Sequence, residues 1–344
     1  MRIENDECFI IAELSANHGG DIEIAKETIK AAKRAGADAI KLQTYRADAI
    51  TLNVKNDYFK IDQNSHWDGR YFYDLYEEAY TPWEWHKELF QLAKEEGLVC
   101  FSSPFDFTAV DLLESLGNPI YKIASFEITD IPLIDYVASN GKPIIISTGI
   151  ASIEDIELAL QTCRNQNNND ITLLKCTSQY PALPEDGNLA TIPDLKTRFN
   201  VNVGLSDHTL GIEAPVFALS LGAKVIEKHF ILDKSIGGPD AHFSLDESEF
   251  TQLVSAVRKA EKMIGIVDYE MTDKKLKRRE FSRSLFVSKS VKKGDIITKD
   301  NIKSVRPGFG LHPKHYKNTI GKKFTEDVNE GKPLTLSMIE NNYL

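Results

Sequence analysis

VNVGLSDHTLGIEAPVFALSLGAKVIEKHFI, residues 201–231, decides the fold class, because it reads as a strand, a helix and a second strand in succession. VNVGLSDH (201–208) and KVIEKHFI (224–231) are short and β-rich, and GIEAPVFALSLGA between them carries apolar side chains at helical spacing. Such a crossover lays two strands side by side in parallel. The same alternation extends from Cys8 to about Ile266, through CFIIAEL (8–14), AIKLQT (39–44), LVCFSSP (98–104), IYKIAS (120–125), PIIISTG (143–149) and ITLLKCT (171–177). Each strand is followed by a helix candidate, such as DIEIAKETIKAAKRAG or DESEFTQLVSAVRKAEKM. Eight such pairs in roughly 260 residues predict an α/β fold, a (β/α)8 or TIM barrel, with an open doubly wound sheet as the second architecture. Closure is favoured because it removes the edges an open sheet would leave.

These strands carry charge where a buried strand should be apolar. Side chains two apart share a face, so Lys41 pairs with Gln43, Lys175 with Thr177, and Glu227 with His229. The opposite face must meet apolar helices, which turns these groups toward the barrel axis near its mouth. Glu13, Lys41, Lys122, Lys175, Asp207 and Glu227 form the expected cluster, and unpaired burial would cost several kcal/mol per charge. Ser102, Ser103, Ser125, Ser147 and Ser206 surround it in the sequence pattern. Lysines ringed by hydroxyls suit a phosphate and a carboxylate, so a small phosphorylated acid is the expected ligand. His208 and His229 stand 21 positions apart at the ends of neighbouring strands. Core histidines, an acid/base pair and metal ligands are the three readings. The metal reading is favoured beside Glu227 and Asp207, as two imidazoles leave positions of an octahedral divalent ion open for water and a substrate oxygen. NHGG (17–20) reads equally as an anion cradle or a plain turn.

The 344 residues are 42% hydrophobic and 27% charged, which suits a soluble protein with a large core. A formal charge of −10 argues against nucleic acid or an anionic membrane as the main partner. Cys8, Cys100, Cys163 and Cys176 lack CxxC spacing and are expected as buried free thiols in a reducing compartment. The charged start MRIENDE and the lack of any apolar run near ~18 residues predict no signal or anchor and a cytoplasmic location. An insertion over 46–81, containing HWDGRYFYDLY, is expected to cover the site. The expected organisation is a catalytic barrel over 1–266, a linker over 267–283 and a small β-rich domain over 284–344. The basic run Lys274 to Arg279 is expected to be a solvated linker helix. VKKGDIIT (291–298) and VNEGKPLT (328–335) look like a duplicated β-turn unit, and RPGFGLHP (306–313) like a presented loop.

IAELSANHGG, AIKLQTY, CFSSPFD, YKIASFE, IISTGIAS, LLKCTSQYP, VGLSDHTLG and VIEKHF follow one another in the order of the site motifs of the sialic acid, or nonulosonic acid, synthase family, which this chain resembles. The segment from about Ser284 resembles the antifreeze-like SAF domain of those synthases. Within the family the insertion, SSPF, KCTS and FSRSL look most like the branch that makes pseudaminic acid.

The resemblance implies condensation of phosphoenolpyruvate with an open-chain N-acylated amino-sugar, with phosphate leaving by C–O cleavage. It implies a divalent metal on His208 and His229, Mn²⁺ favoured with Mg²⁺ or Co²⁺ as alternatives. It places Glu13 near the reacting carbon, and Lys41, Lys122, Ser103, Ser125, Ser147 and Ser206 on phosphoenolpyruvate. Gln43, Tyr180, Glu227 and Asp240 would face the sugar, and Arg306 would enter from the other subunit of a domain-swapped homodimer. Trp67-Asp68 and Ser178 depart from the asparagines of N-acetylneuraminate synthases, which favours a 6-deoxy sugar, 2,4-diacetamido-2,4,6-trideoxy-L-altrose. The alternatives are an N-acetylneuraminate or legionaminate synthase, a Schiff-base aldolase using Lys41, Lys122 or Lys175, and a non-catalytic sugar- or ice-binding protein.

Overall fold

Eight parallel strands close on themselves: β1 (Phe9–Glu13), β2 (Ala39–Thr44), β3 (Val99–Pro104), β4 (Tyr121–Ile123), β5 (Ile144–Ser147), β6 (Ile171–Cys176), β7 (Asn202–Asp207) and β8 (Val225–His229). β1 pairs with β8 through Phe9 opposite Val225 and Glu13 opposite His229, which seals the barrel. The computed structural model describes residues 7–62 and 67–340, and these divide into two compact units, Met1–Gly265 and Ile266–Leu344. The helices between strands are α1 (Ile22–Arg34), α4 (His86–Glu95) after the insertion's α2 (Ala47–Ile50) and α3 (Phe72–Ala79), α5 (Phe107–Ser115), α6 (Ile131–Ser139), α7 (Ile153–Asn165), α8 (Thr191–Phe199), α9 (Glu213–Ser220) and α10 (Glu247–Ile264). Their starts are written locally: Asp21 caps α1, while Ser152 with Asp155 and Asp246 with Glu249 form capping boxes on α7 and α10.

Two apolar layers fix which way each strand faces. Ile10, Ala12, Leu42, Tyr121, Ile123, Leu173, Val203 and Ile226 pack outward against helices. Phe9, Ile11, Ala39, Phe101, Ile120, Ile145, Leu174 and Val225 meet inside as the barrel floor. Two residues beyond a floor residue lie Glu13, Lys41, Ser103, Lys122, Ser147, Cys176 and Glu227, so alternation lifts a polar ring above the floor.

The same parity corrects three expectations. Lys175, Asp207 and Ser102 face the helix layer, not the axis. Lys175 Nζ donates to the Cys176 carbonyl at 2.7 Å and to Thr177 Oγ1 at 3.2 Å. Asp207 pairs with Lys228, its register partner on β8, and both side chains are buried. Ser102 Oγ bonds Thr44 Oγ1, which bonds His86 Nε2 on α4. In the insertion, Trp67 Nε1 donates to the Pro239 carbonyl at 3.3 Å, which brings it to the barrel mouth; His66 of HWDGRYFYDLY lies outside the described residues. Asn17 of NHGG donates to the Phe230 carbonyl and to Ser244 Oγ, which ties the ends of β1 and β8 together. All four cysteines are buried and free.

In the second unit, α11 (Asp273–Arg278) carries most of the basic run and is solvated. β9 (Ser284–Val287) and β10 (Ile302–Val305) pair antiparallel over a core that includes Leu285, Val287, Ile302, Phe324, Leu334 and Ile339, and α12 (Tyr316–Thr319) completes it. The two repeated V-x-x-G units pair with each other: Val291 N donates to the Val328 carbonyl at 2.9 Å and Val328 N returns the bond at 3.0 Å.

Candidate active site

The polar ring begins with a charge-balanced quartet. Lys41 Nζ lies 2.6 Å from Glu13 Oε2 and 3.0 Å from Glu227 Oε2, and Lys122 Nζ lies 3.8 Å from Glu227 Oε1. Burial pushes the Lys41 pKa down to about 8, against the pull of Glu227. Burial would raise Glu227, but Lys122 and Lys41 outweigh it and hold its pKa near 2. Two cations and two anions therefore cancel inside the barrel. An incoming phosphate dianion would favour the charged form of Lys41, so ligand binding and lysine protonation reinforce each other.

Hydroxyls surround this quartet. Lys122 Nζ donates to Ser147 Oγ at 2.7 Å, Ser206 Oγ to Glu227 Oε1 at 3.0 Å, and Ser178 Oγ to Ser125 Oγ at 2.9 Å. Ser103 Oγ is buried with no hydrogen-bond partner. A buried hydroxyl without a partner is rare and marks a place where a ligand oxygen can bond. Gly149 makes room for the serine pair: a Cβ there would lie 2.2 Å from Ser178 Oγ and 2.6 Å from Ser125 Oγ.

The two imidazoles project from β7 and β8 with ring centroids 5.4 Å apart. Two rings on one ion with metal–nitrogen bonds of ~2.1 Å would have centroids roughly 4.5–5.5 Å apart, so the spacing fits a shared cation. His208 Nδ1 lies 2.9 Å from the Thr177 carbonyl and can only donate to it, so Nε2 is the atom left to ligate once the ring gives up its second proton; burial opposes the charged ring, but Cys176 and the Thr177 carbonyl together push its pKa up. His229 Nδ1 is buried with no hydrogen-bond partner, 3.8 Å from Asp240 Oδ2. Burial, then His208, Lys41, Lys228 and Lys122, hold the His229 pKa well below the ordinary range, so the ring is neutral and able to ligate. Among the described residues no group of three or more His, Cys, Asp or Glu side chains forms a metal cage. Two protein ligands would leave the other positions to water and substrate oxygens. An aromatic wall stands over the pair: Tyr180 is 4.3 Å from His208, 5.3 Å from Phe243 and 5.6 Å from Trp67, centroid to centroid.

On the side of β1 and β2, Gln43 Nε2 donates to Glu13 Oε1 at 3.0 Å and to Ser15 Oγ at 2.9 Å, and Ser15 Oγ donates to Asp240 Oδ2 at 2.5 Å. Burial pushes the Asp240 carboxyl up, against the Ser15 and Ala16 donors. The barrel unit thus gathers Glu13, Lys41, Gln43, Ser103, Lys122, Ser125, Ser147, Ser178, Tyr180, Ser206, His208, Glu227, His229 and Asp240 at one rim. Arg306 belongs to the second unit, where it is exposed directly after β10.

Three neighbours escape a reading of strand motifs. Cys176 Sγ lies 3.9 Å from His208 Nδ1; strict alternation from Leu174 would have found it. Glu127 follows β4 in a short 3₁₀ turn, with Oε2 buried and unpartnered. Burial pushes its pKa up to about 7, against Lys122. The third is Ser15. A cavity of about 370 Å³ bordered by Leu205, His208, Ala214 and Phe217 opens between β7 and α9; it is walled mainly by carbon and lacks the lysines.

Residues 28–269 match the NeuB family and residues 282–340 the SAF domain. The chain is 51% identical over 326 residues to a pseudaminic acid synthase of Campylobacter jejuni, covering 95% of each chain. It is 49% identical over 334 residues to a pseudaminic acid synthase of Helicobacter pylori, covering 97% of this chain and 98% of the other. Among solved structures, an N-acetylneuraminic acid synthetase from Leptospira borgpetersenii in complex with citrate superposes with a TM-score of 0.71 at 31% identity, covering 80% of this chain and 91% of that one. The barrel, its polar rim and the appended small domain agree with these matches, and the chain belongs to the NeuB family.

Proposed function

We propose that the protein is a pseudaminic acid synthase, condensing phosphoenolpyruvate with 2,4-diacetamido-2,4,6-trideoxy-L-altrose and water to give pseudaminic acid and phosphate. The observation that carries the reading is the buried Lys41–Lys122 pair, ringed by serine hydroxyls, at the same rim as two neighbouring imidazoles. Lys41 and Lys122 would meet the phosphate and carboxylate of the enol, with Ser103, Ser125, Ser147 and Ser206 filling the remaining oxygens. Carbon 3 of the enol attacks the aldehyde carbon, carbon 2 takes a water oxygen, and the carbon 2–phosphate oxygen bond breaks. Lysine charge is placed where negative charge grows on departing phosphate, which lowers the barrier to that cleavage. Glu13, held by Lys41 and Gln43, stands ready to accept a proton at the rim. A divalent ion, Mn²⁺ by preference with Mg²⁺ or Co²⁺ as alternatives, would be held by His208 and His229 and would supply Lewis acidity to the aldehyde oxygen. Gln43, Tyr180, Glu227 and Asp240 would face the sugar, and the apolar wall of Trp67, Tyr180 and Phe243 suits a 6-deoxy acceptor better than a hydroxymethyl one.

Arg306 would reach the site of a second copy in a domain-swapped homodimer; its exposure on the small unit supports that role. No helix among the described residues is long and apolar enough to cross a membrane, in keeping with the proposed cytoplasmic location.

Phosphate release from phosphoenolpyruvate, measured with the altrose derivative and with N-acetylmannosamine, tests the reaction and its acceptor together. The altrose derivative is expected to turn over faster, a chelator to abolish release, and His208→Ala or His229→Ala to be inactive and to lose Mn²⁺ binding. Faster turnover of N-acetylmannosamine would overturn the acceptor assignment, and full activity in chelator would overturn the metal.

A further inference from the structure

We propose that Ser15 is a positioning residue for the sugar half of the site, kept in a strained conformation because its hydroxyl orients Gln43 and Asp240 together. The proposal rests on the assignment of those two residues to the sugar. Ser15 lies two residues past β1, is 3% exposed and has φ of +49°. Left-handed backbone is the province of glycine, with asparagine tolerated. The other non-glycine residues with positive φ among those described, Asn167, Asn188 and Asn200, are all asparagines. A serine held there against its preference points to a use for the hydroxyl.

That use is visible in the bonds. One oxygen accepts from Gln43 Nε2 at 2.9 Å and donates to Asp240 Oδ2 at 2.5 Å, so β1, β2 and the segment after β8 meet on a single atom. The bond from Gln43 fixes which end of its amide faces the cavity, because its nitrogen is already committed to Ser15 and to Glu13 Oε1. The carboxylate of Asp240, with backbone support from Ala16 N at 3.4 Å, is held 3.8 Å from His229 Nδ1. A sugar entering the rim therefore meets an amide carbonyl and a carboxylate that are already aimed, with no reorganisation left to perform. Glycine would relax the backbone but break the link between the two side chains, leaving Gln43 to Glu13 alone and Asp240 to the long bond from Ala16 N.

Two variants separate this role from a structural one. Ser15→Ala keeps the strain and removes the hydroxyl, whereas Ser15→Gly removes both. The glycine variant should melt ~2–4 °C above the alanine variant. Both should nevertheless lose about 10- to 100-fold in kcat/KM for the sugar, the scale of a ~1 Å misplacement, with the KM for phosphoenolpyruvate within about twofold of the parent. Sugar kinetics at the parent level in Ser15→Gly, or activities that follow the order of melting temperatures, would overturn the proposal. Should the parent enzyme release no phosphate with any N-acylated hexose, the proposed reaction fails. Crystal structures of the two variants then decide Ser15, with a shift of ~1 Å or more at the Gln43 amide and Asp240 carboxylate expected and unmoved groups refuting it.

Discussion

Replacing Lys228 by methionine isolates the ion pair behind the two histidines. Lys228 Nζ bonds Asp207 Oδ2 and lies 2.5 Å from the Thr209 carbonyl, and the two charged side chains are 1% and 2% exposed. Asp207 Oδ1 has two donors of its own, Thr209 N at 3.0 Å and Thr209 Oγ1 at 2.8 Å, while Oδ2 takes the lysine. Methionine fills the volume, so the loss is electrostatic: a buried carboxylate without its cation. Breaking such a pair from one side costs about 3–5 kcal/mol. With ~2–4 °C per kcal/mol for a unit of this size, the barrel should melt roughly 6–20 °C earlier. Asp207→Asn combined with Lys228→Met removes both charges and keeps the Oδ1 acceptor, and it should recover most of the loss, since neutral replacement of a buried pair is often nearly free of cost. Denaturant unfolding of the parent, both single variants and the double variant, followed by circular dichroism, completes the cycle. A Lys228→Met loss under about 1 kcal/mol, or a double variant no more stable than the single, would refute the reasoning.

Gly149→Ala puts a Cβ 2.2 Å from Ser178 Oγ and should part the Ser125–Ser178 bond, raising the KM for phosphoenolpyruvate about tenfold or more; an unchanged KM would remove Ser125 from the enol site. Glu127, with its pKa raised to about 7 by burial, keeps its proton in the folded chain where the unfolded chain has lost it. Its contribution is therefore whole below the ordinary carboxyl range and is lost as pH rises through about 7, so Glu127→Gln should flatten the fall in stability between pH 5 and pH 8 by up to ~3 kcal/mol. Denaturant midpoints at the two pH values check it, and parallel curves for parent and variant would show that Glu127 does not hold that proton.

Much of the architecture is legible in the amino-acid order because a (β/α)8 chain repeats one local instruction. Runs such as PIIISTG and AIKLQT are too short and too β-branched to favour a helix, and amphipathic stretches such as DIEIAKETIKAAKRAG have the period of covering helices; all eight strands lie where the runs predict them. The chemistry of the rim is legible too, since Lys41, Lys122, Glu227 and His229 are out of place in buried strands unless they face a site.

Facing is where local sequence stops deciding. A parallel barrel strand is buried on both sides, and β6 and β7 carry polar groups on either face, Lys175 opposite Thr172 and Asp207 opposite Ser206, so only closure over the floor of Ile11, Phe101, Ile145 and Val225 turned Cys176 inward and Lys175 and Asp207 outward. The bond from Ser15 to Asp240 spans 225 residues of chain, and that from Ser178 to Ser125 spans 53. Such pairs exist because strands far apart in sequence end at one rim. Composition and period determine the barrel and the stock of polar groups, while register, parity and ring closure decide which of them touch.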